Sequence, residues 1–122
     1  MLVYVNGKFL SRDDARVSVF DHGFLYGDGV YETIRSYGNR IFMRDHHLSR
    51  LQRSADAIGL TVPIPLNEWP RLLHEAMDRN QLGDNQTDAY LRITVSRGAG
   101  EIGLDPALCP TPTVVIMAKP VH

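Results

Sequence analysis

Arginine and tyrosine recur at alternate positions in two stretches of the sequence. Arg35 stands between Tyr31 and Tyr37 in the first stretch, and Tyr90 precedes Arg92 in the second. Alternate residues of a β-strand share one face, so each stretch predicts a strand with a cationic and aromatic face. A guanidinium fork binds carboxylate or phosphate bidentately, so such a face could form the floor of an anion site. A merely solvated sheet face would show the same pattern, and the residues alone leave both interpretations open.

Other groups capable of chemistry are less favourably placed. A single helical arginine such as Arg50 is more often a surface residue than an anion ligand. His46 and His47 would point about 100° apart on a helix, and no spaced histidines or cysteines complete a site, so we expect no bound metal. Cys109 has no lysine or histidine nearby in the sequence, which predicts an inert thiol. The run Gly27-Asp-Gly lacks the third glycine of a dinucleotide-binding loop.

Turn signals divide the strand-like stretches into hairpins. Asn6-Gly7 separates two apolar stretches near the start of the chain, and Gly38-Asn39 follows the strand that carries Arg35. Residues 20–29 are predicted to form a glycine-punctuated loop, and residues 83–87 another. Residues 97–112 are predicted to form a long connection without regular structure. A buried strand is expected over the apolar run 113–118.

Two helices are predicted between these strands. Apolar residues at helical spacing predict the first over residues 45–58, with Asp45 as its N-cap and Gly59 at its end. The second is predicted from an N-cap at Asn67 to about Asn80. The order of strands, helices and strands predicts one α+β domain over residues 1–122. Its mostly antiparallel sheet would form one layer and the two helices the other.

Composition restricts the classes of function. The 122 residues carry a formal net charge of −1, which gives no electrostatic basis for binding nucleic acid or an anionic membrane. The single cysteine excludes an internal disulfide, and the sequence has no apolar run long enough to span a bilayer. We therefore expect a cytoplasmic protein.

Four motifs together resemble one enzyme family. The runs YGDGVYETIR, HHLSRL, YLRITVSRG and GLDP are similar to the N-terminal domain of the fold-type IV pyridoxal-phosphate enzymes. That family includes branched-chain aminotransferases, D-amino-acid aminotransferases and aminodeoxychorismate lyase, and the similarity extends from Val3 to Pro120. The resemblance implies pyridoxal 5′-phosphate as cofactor, amino-acid and 2-oxo-acid substrates, and a homodimer.

The resemblance also implies roles for individual residues. Arg50, in the run HHLSRL, matches the arginine that binds the cofactor phosphate. Tyr26 matches a loop that reaches the active site of a neighbouring subunit. Arg97 matches the arginine that binds the substrate carboxylate in D-amino-acid enzymes. The residues that match substrate-pocket positions are thus Tyr26, Tyr31, Arg35, Tyr90, Arg92 and Arg97.

Several positions bear on the subfamily. Tyr31 is similar to the D-amino-acid enzymes, but Ala99 stands where those enzymes carry a histidine. The run RGAGEIGLDP is more similar to the branched-chain type, although Thr33 replaces a glycine of that type. We expect amino transfer between a branched-chain amino acid and 2-oxoglutarate. D-amino-acid aminotransferase and aminodeoxychorismate lyase activities are the alternatives.

The lysine that holds the cofactor in this family belongs to a second, C-terminal domain. The sequence contains only Lys8 and Lys119, and neither stands in the matching context. We therefore expect these residues to be the N-terminal half of a larger enzyme and to be inactive alone. A non-catalytic binding or dimerisation module is the remaining alternative.

Overall fold

The computed structural model describes residues 1–84 and 87–121, and it consists of an antiparallel sheet with two long helices on one face. This confirms the predicted α+β class. The strands are β1 (Leu2–Val5), β2 (Lys8–Ser11), β3 (Gly29–Tyr37), β4 (Arg40–Ile41), β5 (Ala89–Ser96) and β6 (Thr113–Pro120). The helices are α1 (His22–Tyr26), α2 (Arg44–Ala57) and α3 (Trp69–Arg79).

The six strands lie in the order β2-β1-β6-β5-β3-β4, and every paired neighbour is antiparallel. Both predicted hairpins are present, since Asn6-Gly7 joins β1 to β2 and Gly38-Asn39 joins β3 to β4. Strand β4 pairs only with Ser36 and Tyr37 of β3. The part of β3 before Ser36 therefore has a strand partner on one side only, within the described residues.

The hydrophobic core lies between the sheet and the helices α2 and α3. Trp69 and Leu73 of α3 and Leu51 of α2 lie in one core cluster with Leu91 and Ile93 of β5, and each is at most 1% exposed. Full burial of an aliphatic side chain contributes about 1.5–3 kcal/mol, so this layer holds both helices to the sheet. Neither α2 nor α3 covers the opposite side of the sheet, where the short helix α1 lies beside a cavity. We call this side the open face, defined by Tyr31, Thr33, Arg35, Tyr90, Arg92 and Thr94.

Both long helices begin at other residues than predicted. Asp45 is not the N-cap of α2: Met43 occupies that position with a left-handed φ of 51°, and Asp45 lies exposed in the first turn. The chain has to reverse sharply after β4, and the helix therefore starts one residue earlier. Asn67 is not the N-cap of α3, because Leu66–Glu68 form a separate 3₁₀ turn and Glu68 precedes the helix.

The loops differ from expectation mainly at residues 20–29, which contain the short helix α1. The Asp21 carboxylate caps it by accepting a hydrogen bond from the Gly23 N–H at 2.8 Å, and Gly27 ends it with a φ of 67°. The connection 97–112 contains one 3₁₀ turn, Pro106–Leu108. The predicted loop 83–87 includes residues 85–86, which lie outside the described residues.

Two kinds of feature are missing from the described ranges 1–84 and 87–121. None of their helices has the length and apolar character needed to cross a bilayer. Nor do these ranges hold three histidine, cysteine, aspartate or glutamate side chains close enough together to bind a metal ion.

Candidate functional site

The pairing of β3 with β5 brings four of the predicted site residues onto the open face. Tyr31 lies opposite Thr94, Thr33 opposite Arg92, and Arg35 opposite Tyr90. Directly opposed residues have Cβ atoms about 5 Å apart, so these side chains form one continuous surface. Tyr31, Arg35, Tyr90 and Arg92 thus lie together, two on each strand.

Arg92 is the cation at the centre of this surface. Its guanidinium carbon lies 4.4 Å from the ring centroid of Tyr31, a cation–π contact that fixes the side chain. Arg92 makes no ion pair with a carboxylate among residues 1–84 and 87–121. Its positive charge is therefore available to an anion that approaches the open face.

Tyr90 lies next to Arg92 on the same face of β5. A hydrogen bond with Thr33, assisted by Arg92 and by the charge of Lys119, lowers the pKa of the Tyr90 hydroxyl below its ordinary value. The Lys119 amine stands 5.2 Å from the centroid of the Tyr90 ring. The open face therefore favours negative charge at this position.

Arg35 is partly committed to the fold. Its Nη2 donates to Asp88 at 2.8 Å, and its guanidinium carbon lies 4.3 Å from the centroid of the Tyr37 ring. The same aspartate accepts a hydrogen bond from the Gly38 N–H at 2.7 Å. Arg35 and Asp88 thus hold the turn between β3 and β4, and Arg35 is a less available anion ligand than Arg92.

A cavity of about 580 Å³ lies against the open face. Tyr31 and Arg92 lie at one end of it, and most of the remaining surface comes from apolar side chains of the β1–β6 side of the sheet and of α1. Its other polar lining residues are Arg16, Asp21, Thr94, Ser96 and Thr113. An apolar hollow beside a fixed cation suits a small ligand with one anionic end and a hydrocarbon side chain. The apolar lining residues include Val5, Phe24, Val115 and Met117.

Arg50 lies on the helix side of β3, away from the open face. Its Nε and Nη2 both donate at 2.8 Å to the two carboxylate oxygens of Glu32. His47, one turn earlier on α2, places its Nδ1 2.7 Å from Oε1 of the same carboxylate. The Glu32 side chain is 5% exposed, whereas that of Arg50 is 51% exposed. We call Glu32, His47 and Arg50 the carboxylate cluster.

The partners of Glu32 determine its charge. The hydrogen bond from Arg50 has the largest effect on the Glu32 pKa and lowers it, and contact with His47 lowers it further against the opposing effect of burial. Glu32 is therefore ionised at neutral pH, and its bond to Arg50 is a charge-assisted, bidentate one.

Arg97 lies in the interior, with its hydrogen-bond donors engaged by protein groups. It donates to both carboxylate oxygens of Asp28, at 2.9 and 3.1 Å, and to the carbonyl oxygens of Ile58 and Gly59, at 2.7 and 3.0 Å. It is 8% exposed. This environment does not favour the predicted contact of Arg97 with substrate, since a substrate carboxylate would have to displace these bonds.

Tyr26 lies at the end of α1 and is 41% exposed. Its hydroxyl accepts a hydrogen bond from the N–H of Gly103 at 2.9 Å, and its ring contacts His22 edge-on with centroids 5.1 Å apart. The structure therefore joins Tyr26 to the connection 97–112 rather than to the other predicted site residues.

Sequence reasoning missed Glu32, His47 and Asp28. The predicted strand already placed Glu32 on the same face as Val30 and Ile34, and a carboxylate on an apolar face needs a cationic partner. His47 and Arg50 are three residues apart and therefore share a helix face. That combination was a usable signal. Asp28 offered none, because its pairing with Arg97 depends on how the loops fold.

The chain is similar to known proteins in both sequence and structure. Residues 29–122 match the sequence profile of class IV amino-transferases. A protein of Methanocaldococcus jannaschii, provisionally assigned as a branched-chain-amino-acid aminotransferase, is 45% identical over 120 residues, covering 98% of this chain and 40% of that protein. The D-alanine aminotransferase of Staphylococcus epidermidis is 36% identical over 118 residues, covering 95% of this chain and 39% of that enzyme.

The fold also matches solved structures. The structure of the branched-chain amino acid aminotransferase of Escherichia coli superposes with a TM-score of 0.88 at 27% identity, over 98% of this chain and 40% of that one. The chain thus spans about two fifths of the length of the relatives it matches. On the matched profile, the sequence identities and the shared fold, the chain belongs to the class IV aminotransferase family.

Proposed function

We propose that this chain forms the N-terminal domain of a pyridoxal-phosphate-dependent aminotransferase that moves an amino group between a branched-chain amino acid and 2-oxoglutarate. The observation that carries the proposal is the open face, where Arg92, which forms no ion pair within the part of the chain that the structure describes, adjoins a mostly apolar cavity. Both substrates carry an α-carboxylate that the cation could bind, and the branched hydrocarbon side chain of the amino acid complements the apolar part of the cavity.

The cofactor phosphate is proposed to bind at Arg50. The fit rests on the carboxylate cluster: one side of the guanidinium is held by Glu32, and the side chain remains half exposed. An arginine stays charged at any working pH and can bind a phosphate dianion through two hydrogen bonds. When bound, pyridoxal 5′-phosphate supplies an electron-withdrawing ring that makes the α-hydrogen of the amino acid acidic.

Within the described part of the chain, the stretch of β3 before Ser36 has a strand partner on one side only, and one ligand lying along its other edge could reach both Arg50 and Arg92. Glu32, bonded to Arg50, and Thr33, opposite Arg92, are consecutive residues on this strand, and their side chains point to opposite faces. A ligand lying along this edge could contact Arg50 on one side and the open face on the other. This arrangement supports phosphate recognition by Arg50 and substrate-carboxylate recognition by Arg92.

The other predicted site residues differ in how free their side chains are to contact a substrate. Tyr31, exposed beside Arg92, is proposed to line the pocket, with the Tyr90 hydroxyl as a hydrogen-bond partner of the carboxylate. Arg35 is proposed to contribute its charge from the ion pair with Asp88. For Arg97 a substrate contact has the least support, because its guanidinium is occupied.

A homodimer is proposed in which Tyr26 reaches the site of the partner subunit. The support is a group of exposed apolar residues near it, of which Phe24, Ile102 and Leu104 are 70%, 69% and 82% exposed. Exposed apolar side chains this close together are typical of a protein interface. The composition of the chain supports a cytoplasmic location and gives no basis for a nucleic-acid or membrane partner.

The lysine that holds the cofactor is proposed to lie outside these 122 residues. Lys119 stands over the Tyr90 ring on β6, and Lys8 begins β2 next to the turn. Neither lies beside the carboxylate cluster. The chain by itself is therefore expected not to transaminate.

A D-amino-acid preference is the second candidate, favoured by the 36% identity to D-alanine aminotransferase. In that case a residue other than Arg97 would have to bind the substrate carboxylate, because the guanidinium of Arg97 is bonded to Asp28, Ile58 and Gly59. Lyase chemistry on the same scaffold is the third, because a fold does not determine a reaction.

The decisive assay uses the protein at the length its own cell makes, loaded with pyridoxal 5′-phosphate. L-Leucine with 2-oxoglutarate is expected to yield glutamate, with D-alanine a much poorer donor and no pyruvate released from aminodeoxychorismate. Arg92→Ala should raise the KM for both substrates, and the exposed Arg53→Ala on α2 is the control. Faster turnover of D-alanine, or pyruvate release without amino transfer, would exclude the branched-chain assignment.

A further inference from the structure

The carboxylate of Glu32 occupies one complete edge of the Arg50 guanidinium. A guanidinium has two edges that can each donate two parallel hydrogen bonds: one formed by Nε and Nη2, the other by Nη1 and Nη2. In this protein Nε and Nη2 donate to the two oxygens of Glu32, both at 2.8 Å. Within the described residues, Nη1 donates to no acceptor. Nη2 also lies 3.4 Å from Nδ1 of His47, but that nitrogen needs its hydrogen for the bond to the Glu32 carboxylate and therefore cannot accept one from Nη2. The Nη1–Nη2 edge therefore remains available on the exposed part of the side chain.

The geometry points to Glu32 as a positioning residue, which holds the Arg50 guanidinium so that its Nη1–Nη2 edge faces an incoming phosphate. This inference rests on the proposed role of Arg50 as the phosphate ligand. Glu32 would not touch the phosphate; it would act through Arg50 alone. His47, in contact with Oε1, fixes the carboxylate from the other side.

Two effects of Glu32 on phosphate binding oppose each other. Its negative charge partly neutralises Arg50 and weakens the attraction, whereas its two hydrogen bonds remove the rotational freedom that a long side chain would otherwise lose on binding. Arg50 is half exposed, so water screens the charge effect. The bidentate contact depends on orientation and is screened much less. Orientation should therefore prevail, and the loss of Glu32 should weaken phosphate binding.

The experiment measures equilibrium dissociation constants of the full-length protein for pyridoxal 5′-phosphate and for pyridoxal, which lacks the phosphate. Glu32→Gln is the main variant. The amide can satisfy only one of the two Arg50 donors, because its nitrogen must face the other. We expect the dissociation constant for pyridoxal 5′-phosphate to rise about tenfold and that for pyridoxal to stay unchanged. In an Arg50→Ala background, Glu32→Gln should have no further effect.

The outcomes separate the two proposals. If Arg50→Ala leaves the affinity for pyridoxal 5′-phosphate unchanged, the phosphate role of Arg50 is wrong and this inference falls with it. If Arg50→Ala weakens binding and Glu32→Gln does not, only the positioning role is wrong. Tighter binding by Glu32→Gln would show that neutralisation outweighs orientation. An equal loss for pyridoxal and pyridoxal 5′-phosphate would show a general structural defect, which also overturns the inference.

A matched control comes from the same strand. Ser36 lies four residues after Glu32 on the same buried face, and its Oγ accepts a hydrogen bond from the Ala89 N–H at 2.8 Å. Ser36→Ala removes a buried polar contact without touching Arg50 and should leave the ratio of the two dissociation constants unchanged. If Glu32→Gln does not fold, Glu32→Asp carries the test. Its carboxylate is one methylene shorter, and it should show a smaller rise confined to pyridoxal 5′-phosphate.

Discussion

Replacement of Arg97 by alanine would remove four hydrogen bonds at one point of the fold. Two run to the Asp28 carboxylate, next to α1, and two to the carbonyl oxygens of Ile58 and Gly59 at the C-terminal end of α2. A cation at this end of a helix is also favoured by the helix dipole. Arg97 thus joins the loop after α1 to the helix that carries Arg50.

The structure allows the cost to be worked out. Breaking a buried ion pair by removing one partner costs about 3–5 kcal/mol, because it leaves the other charge unpaired. Asp28 is 26% exposed, so water recovers roughly half of that loss and leaves about 2 kcal/mol, to which the two carbonyl oxygens add about 1 kcal/mol each. We expect Arg97→Ala to lower the free energy of unfolding by about 4 kcal/mol. Arg97→Lys should cost roughly half as much, since lysine keeps the charge but not the fork.

The assay is urea unfolding followed by far-ultraviolet circular dichroism. Arg53→Ala, which removes an exposed arginine of the same helix, should stay within about 0.5 kcal/mol of wild type. A double-mutant cycle with Asp28→Asn should show that the two substitutions are not additive. An Arg97→Ala variant as stable as Arg53→Ala, with a raised KM for substrate, would refute the reasoning and return Arg97 to the substrate pocket.

Three further predictions concern the fold. Because the Glu32 pKa is lowered from its usual value of 4.5, its stabilising ion pairs are complete above that pH and are lost as the pH falls through the folded-state value. The difference in urea midpoint between wild type and Glu32→Gln should therefore be constant near neutrality and should shrink as the pH falls through the lowered pKa of Glu32. Gly98→Ala would place a Cβ against the Thr111 carbonyl. Gly7 has nearly the same φ, 96°, but a Cβ there would meet no other atom of the described residues, so Gly98→Ala should lower the free energy of unfolding by at least about 2 kcal/mol more than Gly7→Ala. Equal unfolding free energies of the two variants would contradict this. Leu91→Ala, at a side chain with no exposed area, should cost about 2–5 kcal/mol in the same assay, compared with less than about 0.5 for the exposed Val19→Ala.

Much of the fold could be predicted because its signals are local. The alternation from Val30 to Tyr37 and the turn at Gly38-Asn39 each depend on neighbouring residues only, and both were confirmed. The helix starts were wrong where the preceding chain decided them. Met43 adopts a left-handed conformation because β4 must turn into α2, and no propensity would place a methionine there.

In the candidate site, too, the residues placed by local patterns could be predicted and those placed by distant contacts could not. Strand periodicity was enough to place Tyr31, Arg35, Tyr90 and Arg92 on polar faces, and the register of β3 and β5 then brought the two faces together. The environment of Arg97 could not be predicted, because its partners lie 69 and about 38 residues away in the sequence. Only the folded loops bring Asp28, Ile58 and Gly59 to one guanidinium.

Strand β3 has a consequence for how proteins with this sheet can diverge. Its even-numbered residues from Glu32 to Ser36 are buried under the helices, and its odd-numbered residues from Tyr31 to Tyr37 lie on the open face. Apart from Glu32, which also holds Arg50, selection for a stable fold therefore acts on one set of positions and selection for a new ligand on the other, although the two sets alternate along a single segment of nine residues. A change such as glycine to threonine at position 33 can alter what binds while leaving the core as it was. Recombination cannot easily separate the two sets, but single substitutions can change them independently.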